Sequence, residues 1–272
     1  QKKGVRHFFG YQGTMIAHLV DSIERNPLTE NHSCYNEQGA AFAACGYAQA
    51  KEECACAYAT SGPGAVNLLS GVADAYYDSL PVIFFTGQLN TYEYSGIKGL
   101  RQQGFQETDI VAMAGSITKY AVQIRKSEDI VKELNKAYHI ANTGRKGPVL
   151  IDVPIDVQLA SISKFKYPQE VKLRTYKPTV KGNMVQIKKV AKELSKAKRP
   201  LICAGGGVLL SDAKEVLYQF AHKYQVPVVS TMMGIGVMPT EDDMYFGMVG
   251  NNGHPYANRA MNECDLLLMV GA

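Results

Sequence analysis

The sequence predicts an α/β protein built on parallel sheets in two successive domains, and three features predict it. Short apolar runs of strand length alternate with longer stretches whose apolar residues recur at helical spacing. Glycines stand at the ends of those runs, at Gly10 and Gly13, Gly62 and Gly64, Gly87, and Gly205-Gly206-Gly207. A stretch without periodicity, residues 163–182, carries lysines and prolines and separates one alternating region from a second. Strand–helix alternation with glycine at strand ends indicates a parallel sheet covered on both faces, with ligands at the carboxyl ends of its strands.

Residues 5–9 read as a strand entering Gly10 and Gly13. Residues 15–25 follow as a helix, with Ile16, Leu19, Val20 and Ile23 at helical spacing and Pro27 to end it. A second helix starts near Glu37 and is rich in Gly and Ala, which suits close packing on another surface. Residues 54–60 make a short buried strand, broken by Ser61-Gly62-Pro63-Gly64. The helix expected over 65–77 places Val66, Leu69, Val72 and Ala73 on one face. Residues 81–86 are a buried strand that Gly87 should end, 129–142 an amphipathic helix, and 147–153 the strand after it. The second region reads as helix 184–196, strand 201–204, a glycine turn, helix 212–224, strand 226–230, helix 255–263 and strand 265–270. The expected domains are 1–162 and 183–272, joined by a solvated linker over 163–182. A sheet stopping at such a last strand leaves an open edge, so the sequence reads as part of a longer polypeptide.

At 272 residues there is room for two ordinary cores, and a hydrophobic fraction of 46% with 20% charged residues is that of a globular protein. The formal charge of +4 is small and dispersed, which excludes a nucleic-acid partner. No apolar segment reaches membrane-spanning length and no secretory leader opens the sequence, so a cytoplasmic protein with no membrane partner is expected. The six cysteines and six histidines show no metal-site or redox spacing, and no metal ligation is expected within the chain.

Glu37 stands out, in Tyr35-Asn36-Glu37-Gln38-Gly39-Ala40-Ala41. One reading makes it an acid that caps its own helix, favoured by the free N–H groups of the first turn. The other makes it a carboxyl held in a poorly solvated pocket for proton chemistry. The loop Thr60-Ser61-Gly62-Pro63-Gly64-Ala65-Val66-Asn67 lets a ligand approach backbone closely at a helix start. It matches neither the Walker pattern nor the dinucleotide fingerprint, and no Gly-x-Ser-x-Gly supports a serine hydrolase.

Taken in order, these two segments, Ala73-Asp74-Ala75-Tyr76-Tyr77-Asp78-Ser79-Leu80-Pro81, Thr86-Gly87-Gln88, Phe105-Gln106-Glu107 and Gly144-Arg145-Lys146-Gly147-Pro148-Val149 form a series. The series resembles the amino-terminal, pyrimidine-binding domain of the thiamin-diphosphate 2-oxo-acid enzymes, most of all the acetolactate synthase large subunit. The second region resembles that family's Rossmann-like central domain, here incomplete, through Gly205-Gly206-Gly207, Ser230-Thr231-Met232-Met233-Gly234 and Tyr256-Ala257-Asn258. The resemblance implies that Glu37 hydrogen-bonds the aminopyrimidine of thiamin diphosphate and serves its proton transfer. It implies that Gly13, Thr14, Pro63 and Asn67 line that pocket, with Phe105 and Gln106 facing the substrate. Arg145, Gly205, Gly206, Thr231 and Met233 would contact FAD. Mg2+ would be held with the diphosphate by a further, carboxyl-terminal domain.

The reaction implied is decarboxylation of a 2-oxo acid such as pyruvate and carboligation to a second. The partners implied are an obligate homo-oligomer, dimer or tetramer, and a regulatory small subunit. The sequence departs from the family pattern at Gln12, Thr14, Asn36, Ile155 and Asn252, and in the longer stretch 90–104. Those departures keep open a specialised thiamin-diphosphate decarboxylase or C–C hydrolase. A non-catalytic scaffold is the rival from another class, and the carboxyl at Glu37 weighs against it.

Overall fold

A computed structural model describes residues 3–93, 99–161, 173, 176–179 and 181–272. The chain divides into two compact units, Gln1–Pro178 and Thr179–Ala272. In the first unit the strands are β1 (His7–Gly10), β2 (Glu30–Ser33), β3 (Ala55–Ala59), β4 (Val82–Gln88), β5 (Tyr120–Gln123) and β6 (Val149–Pro154). Its helices are α1 (Ala17–Glu24), α2 (Glu37–Lys51), α3 (Pro63–Tyr77), α4 (Ile110–Ala114), α5 (Ile130–Asn142) and α6 (Ile155–Leu159). The strands form one sheet in the order β2-β1-β3-β4-β6-β5, every neighbouring pair parallel.

Alternation along the central strands separates two apolar layers. Ala55, Ala57, Ala59 and Phe84 face a cluster with Ala41, Ala44 and Leu68 from α2 and α3. Cys56, Tyr58, Ile83 and Phe85 face the other cluster with Val20, Ala137 and Ile140 from α1 and α5. Both faces of the sheet are therefore covered, as period-two side-chain alternation in a doubly wound sheet requires.

The helix expected over 65–77 begins two residues earlier, with Pro63 in its first turn. Its buried stripe runs through Gly64, Ala65, Leu68, Gly71, Val72 and Ala75, while Val66 is exposed. The stripe is made of small residues because α2 lies so close: a methyl group added at Gly71 would sit 2.3 Å from Ala41 Cβ. Gly87 does not end its strand. β4 continues to Gln88, with Gly87 paired to Val153, and a side chain at Gly87 would meet the Met15 carbonyl oxygen at 2.1 Å. That glycine marks a close backbone approach, not a terminus.

The second unit carries β7 (Pro200–Ala204), β8 (Val228–Ser230), β9 (Tyr245–Met248) and β10 (Leu266–Val270) in the parallel order β10-β7-β8-β9. Its helices are α7 (Met184–Leu194), α8 (Gly206–Leu210), α9 (Lys214–Tyr224) and α10 (Pro255–Glu263). Val208, Leu217 and Ala221 cover one face of this sheet and Ala257 the other.

Much of the expected linker, including 163–172, lies outside the described residues. The rest is not simply solvated. Leu173 and Tyr176 pack on the first unit's core, and Tyr176 Oη donates to the Thr143 carbonyl while accepting from Lys119 Nζ at 3.0 Å. Part of the stretch 90–104, residues 94–98, is likewise outside the described residues. No helix among the described residues is long and apolar enough to cross a membrane.

Candidate active site

The carboxyl ends of β1, β2, β3 and β4 and the segments after them bring the expected site residues of the first unit together, Arg145 excepted. Asn36, not Glu37, caps α2: its Oδ1 accepts from the Gly39 N–H at 2.6 Å. Glu37 is thereby left as the first residue of the helix with its carboxylate free for another use. Glu37 as a whole is only 9% exposed. Its Oε2 accepts from Asn67 Nδ2 at 3.0 Å, and its Oε1 lies 3.0 Å from where a Gly64 side chain would begin. Gly64 is therefore the residue whose lack of a side chain admits the acid. Asn67 sits one turn into α3, too far in to cap it, and is exposed on the side that holds Glu37.

Around this pair the loops interlock. Gly13 has extended backbone and needs no side chain because Thr60 occupies the space, 2.6 Å from where a Cβ would sit. The Met15 N–H then donates to Thr60 Oγ1 at 3.2 Å, which fixes Thr14 as the exposed first residue of a short 3-10 turn. Gly62 takes φ +60°, a left-handed value that glycine adopts without strain, and Pro63 follows it at the helix start. Gln106 also has a positive φ, +58°, and its carbonyl oxygen would lie 2.9 Å from a Cβ on Gly62. Gln106 thus borders the Ser61–Gly64 turn. Phe105 beside it is 73% exposed.

Sequence reasoning missed two features here. Ser61 Oγ is buried with no hydrogen-bond partner among the described residues, an orphaned polar atom in the glycine turn. Behind the turn, Asp152 is 1% exposed and accepts from Thr86 Oγ1 at 2.7 Å, Gln88 Nε2 at 3.2 Å and Gln123 Nε2 at 2.9 Å. Burial pushes its carboxyl up to about 6 against those three hydrogen bonds. Gln88 Nε2 also donates to the Thr108 carbonyl at 3.0 Å, which ties this network to the loop carrying Gln106. An acid inside the run Val-Leu-Ile-Asp-Val-Pro was the available signal.

Arg145 does not join this group. It lies before β6, at the amino end of the strands, where its Nε donates to Ser79 Oγ at 2.7 Å. With Tyr76, Tyr77, Lys119, Lys146 and Gly147 it lines a cleft of about 290 Å³. In the second unit Gly205, Gly206, Thr231 and Met233 do converge after β7 and β8. The Thr231 N–H donates to the Ala204 carbonyl at 2.9 Å, and a Cβ on Gly206 would lie 3.1 Å from Met233 Cβ. The position of a Gly205 side chain is taken by the Gly271 carbonyl oxygen, at 2.3 Å. Close backbone packing therefore accounts for these glycines by itself.

The donor set of the first unit fits the aminopyrimidine end of thiamin diphosphate: a largely buried carboxylate oriented by a side-chain amide, with an unpartnered buried hydroxyl in the neighbouring turn. Comparison with known proteins agrees. The family described as thiamine pyrophosphate enzyme, N-terminal TPP binding domain, matches residues 1–113, and thiamine pyrophosphate enzyme, central domain, matches residues 187–272. The chain belongs to the thiamine pyrophosphate enzyme family, of which it carries these two domains.

Within that family the chain is similar to acetolactate synthase large subunits. It is 39% identical over 270 residues to that of Haemophilus influenzae, covering 99% of this chain and 46% of the relative. It is 38% identical over 269 residues to that of Lactococcus lactis, with coverage of 99% and 46%. The chain spans about half the length of the curated relatives it matches. An X-ray structure from Mycobacterium smegmatis, assigned as a thiamin diphosphate-dependent enzyme, matches with a TM-score of 0.79 and 22% identity over 100% of this chain and 50% of that one. At that identity the likeness speaks for the fold.

Proposed function

We propose that the chain supplies the pyrimidine-binding half of a thiamin-diphosphate site, in a protein that decarboxylates a 2-oxo acid, pyruvate, and joins the product to a second 2-oxo acid. One observation carries the reading: Glu37, buried at the first position of α2, is held by Asn67 across the side-chain-free Gly64. Bound thiamin diphosphate supplies the electron sink for decarboxylation. The protein's part would be to hold the Glu37 carboxyl where it can share a proton with a ring nitrogen of the bound group, and to keep water from it. Asn67 fixes the orientation of that carboxyl, and Ser61 offers a second polar contact in the same turn. Phe105 and Gln106, beside Gly62, stand on the substrate side.

Domain limits of 1–162 and 183–272, FAD at the Gly205–Gly206 turn with Thr231 and Met233, and Arg145 as a flavin contact are parts of the same proposal. So are Mg2+ held outside this chain, a homo-oligomer that completes the site, a regulatory small subunit and a cytoplasmic location. The FAD part is supported by convergence of those residues at the carboxyl ends of β7 and β8, where parallel sheets bind ligands.

The test is turnover of pyruvate and 2-oxobutyrate by the full-length protein, with and without FAD, beside Glu37→Gln. Gln keeps the size of the side chain but does not take up the proton, so decarboxylation should fall by about 10²–10⁴-fold. Near-normal turnover in Glu37→Gln overturns the assignment. Decarboxylation without acetolactate favours the specialised decarboxylase, for which the exposed Thr14, after the carboxyl end of β1, is the supporting difference.

A further inference from the structure

Three side chains scattered in the sequence meet at the amino-terminal end of the β1–β2 pair. His7 opens β1, and Glu30 and His32 stand on the edge strand β2. The parallel register pairs His7 with Glu30 and Phe9 with His32, so all four residues point to one face. His7 Nδ1 lies 3.0 Å from His32 Nε2 and 3.7 Å from Glu30 Oε2. One ligand atom from each residue falls within 4.8 Å of the others.

The rings are held from behind. His7 packs on Tyr47 of α2 with centroids 4.6 Å apart, and His32 stacks on Phe9 at 4.7 Å. Tyr47 Oη donates to Glu53 at 3.3 Å, which fixes the ring that His7 packs on. The Glu30 side chain is 65% exposed and free to swing inward.

The geometry points to a binding site for one divalent transition-metal ion of the zinc type, held by His7 Nδ1, His32 Nε2 and the Glu30 carboxylate. At tetrahedral zinc, bonds of about 2.0–2.1 Å set two ligand atoms about 3.3 Å apart. The observed 3.0 and 3.7 Å lie on either side of that separation. Two imidazoles with one carboxylate select borderline ions over Mg2+ and Ca2+, and three protein ligands leave a position open to water. Without an ion the rings meet edge to edge, with centroids 5.3 Å apart and an interplanar angle of 19°, so one nitrogen donates its hydrogen to the other. An ion takes the place of that hydrogen. The donating imidazole moves its proton to its other nitrogen, both rings tilt, and Glu30 closes from solvent.

The site is separate from the proposed cofactor pocket, because His7 and the Gly10–Thr14 turn are at opposite ends of β1. It ties the edge strand to its neighbour.

Titration of the full-length protein with Zn2+, and with Co2+ as a spectroscopic probe, tests this. One equivalent should bind, with visible d–d bands, no thiolate-to-metal charge transfer and no competition from excess Mg2+. His32→Ala should weaken binding by about 100-fold. Glu30→Gln, a change at an exposed side chain, should weaken it less while leaving the circular dichroism spectrum unchanged. Unchanged affinity in both variants, a thiolate band from the cysteines, or no saturable binding overturns the proposal.

Discussion

Asp152 makes the physical reasoning about this sheet measurable. Its carboxyl lies in the middle of a parallel sheet, in register with Thr86 on β4 and Gln123 on β5, and both oxygens accept hydrogen bonds. Burial nevertheless dominates and raises the group from 3.8 to about 6. The native state therefore binds the proton more tightly than the unfolded chain does. The sign follows: this group's contribution to stability is present in full below about pH 4 and is lost as pH rises through about 6. A shift of about 2 pH units corresponds to about 3 kcal/mol, of which about 2 kcal/mol falls between about pH 4.5 and 7.5.

The perturbation is Asp152→Asn, which has the same shape and does not titrate. Urea unfolding of the protein and the variant should be followed across that pH range. The stability difference, parent minus variant, should fall by about 2 kcal/mol from the acid end to the neutral end. Taking the difference cancels the other carboxylates. Thr86 makes the protonated state workable, since its hydroxyl can accept from Asp152 as readily as donate. A difference that stays flat with pH, or rises, would refute the claim that desolvation outweighs the three hydrogen bonds.

Two further outcomes follow from the α2–α3 contact. Gly71→Ala would place a methyl 2.3 Å from Ala41 Cβ and within 3.2 Å of Ala41 backbone, so overpacking should cost about 1–3 kcal/mol in urea or thermal unfolding; an unchanged midpoint refutes the close packing. Asn67→Ala removes the donor to the buried Glu37 carboxylate, so stability should fall by about 1–3 kcal/mol in urea unfolding. Turnover of the full-length protein should fall by about 10–100-fold, as expected for a hydrogen bond to a charged group; loss of stability without loss of turnover would reverse the assignment.

The long periodic helices and the buried strands were legible because their signals are local. Residues 129–142 and 255–263 show helical spacing, and the runs around Tyr58 and Phe84 are apolar and bounded by glycine or proline. The two edge strands of the first sheet were not legible, nor was the edge strand β9 of the second. Glu30–Ser33 reads Glu-Asn-His-Ser, with no apolar residue at all, and becomes a strand only because β1 offers it a free edge. Tyr120–Gln123 is likewise recruited by β6. The face of α3 was misread for a related reason. Bulk hydrophobicity pointed to Val66, whereas the contact with α2 is fixed by the smallest side chains, Gly64, Ala65 and Gly71.

The same division between local and paired information separates the two candidate sites. Every residue around Glu37 comes from a loop or helix start at the carboxyl end of a strand, so each sits in a short motif of its own and the motifs stay in order along the sequence. The topology only has to bring loop tips together, which a parallel sheet does for all its strands at once. Asp152 with Thr86 and Gln123, and His7 with Glu30 and His32, arise differently. Their members lie inside strands and become neighbours through register, where a slip of one residue would turn every side chain to the other face. No spacing in the chain encodes that, so the histidines that looked dispersed at positions 7 and 32 are 3.0 Å apart. A parallel sheet thus writes its end-of-strand chemistry into the sequence and hides the chemistry of its rows.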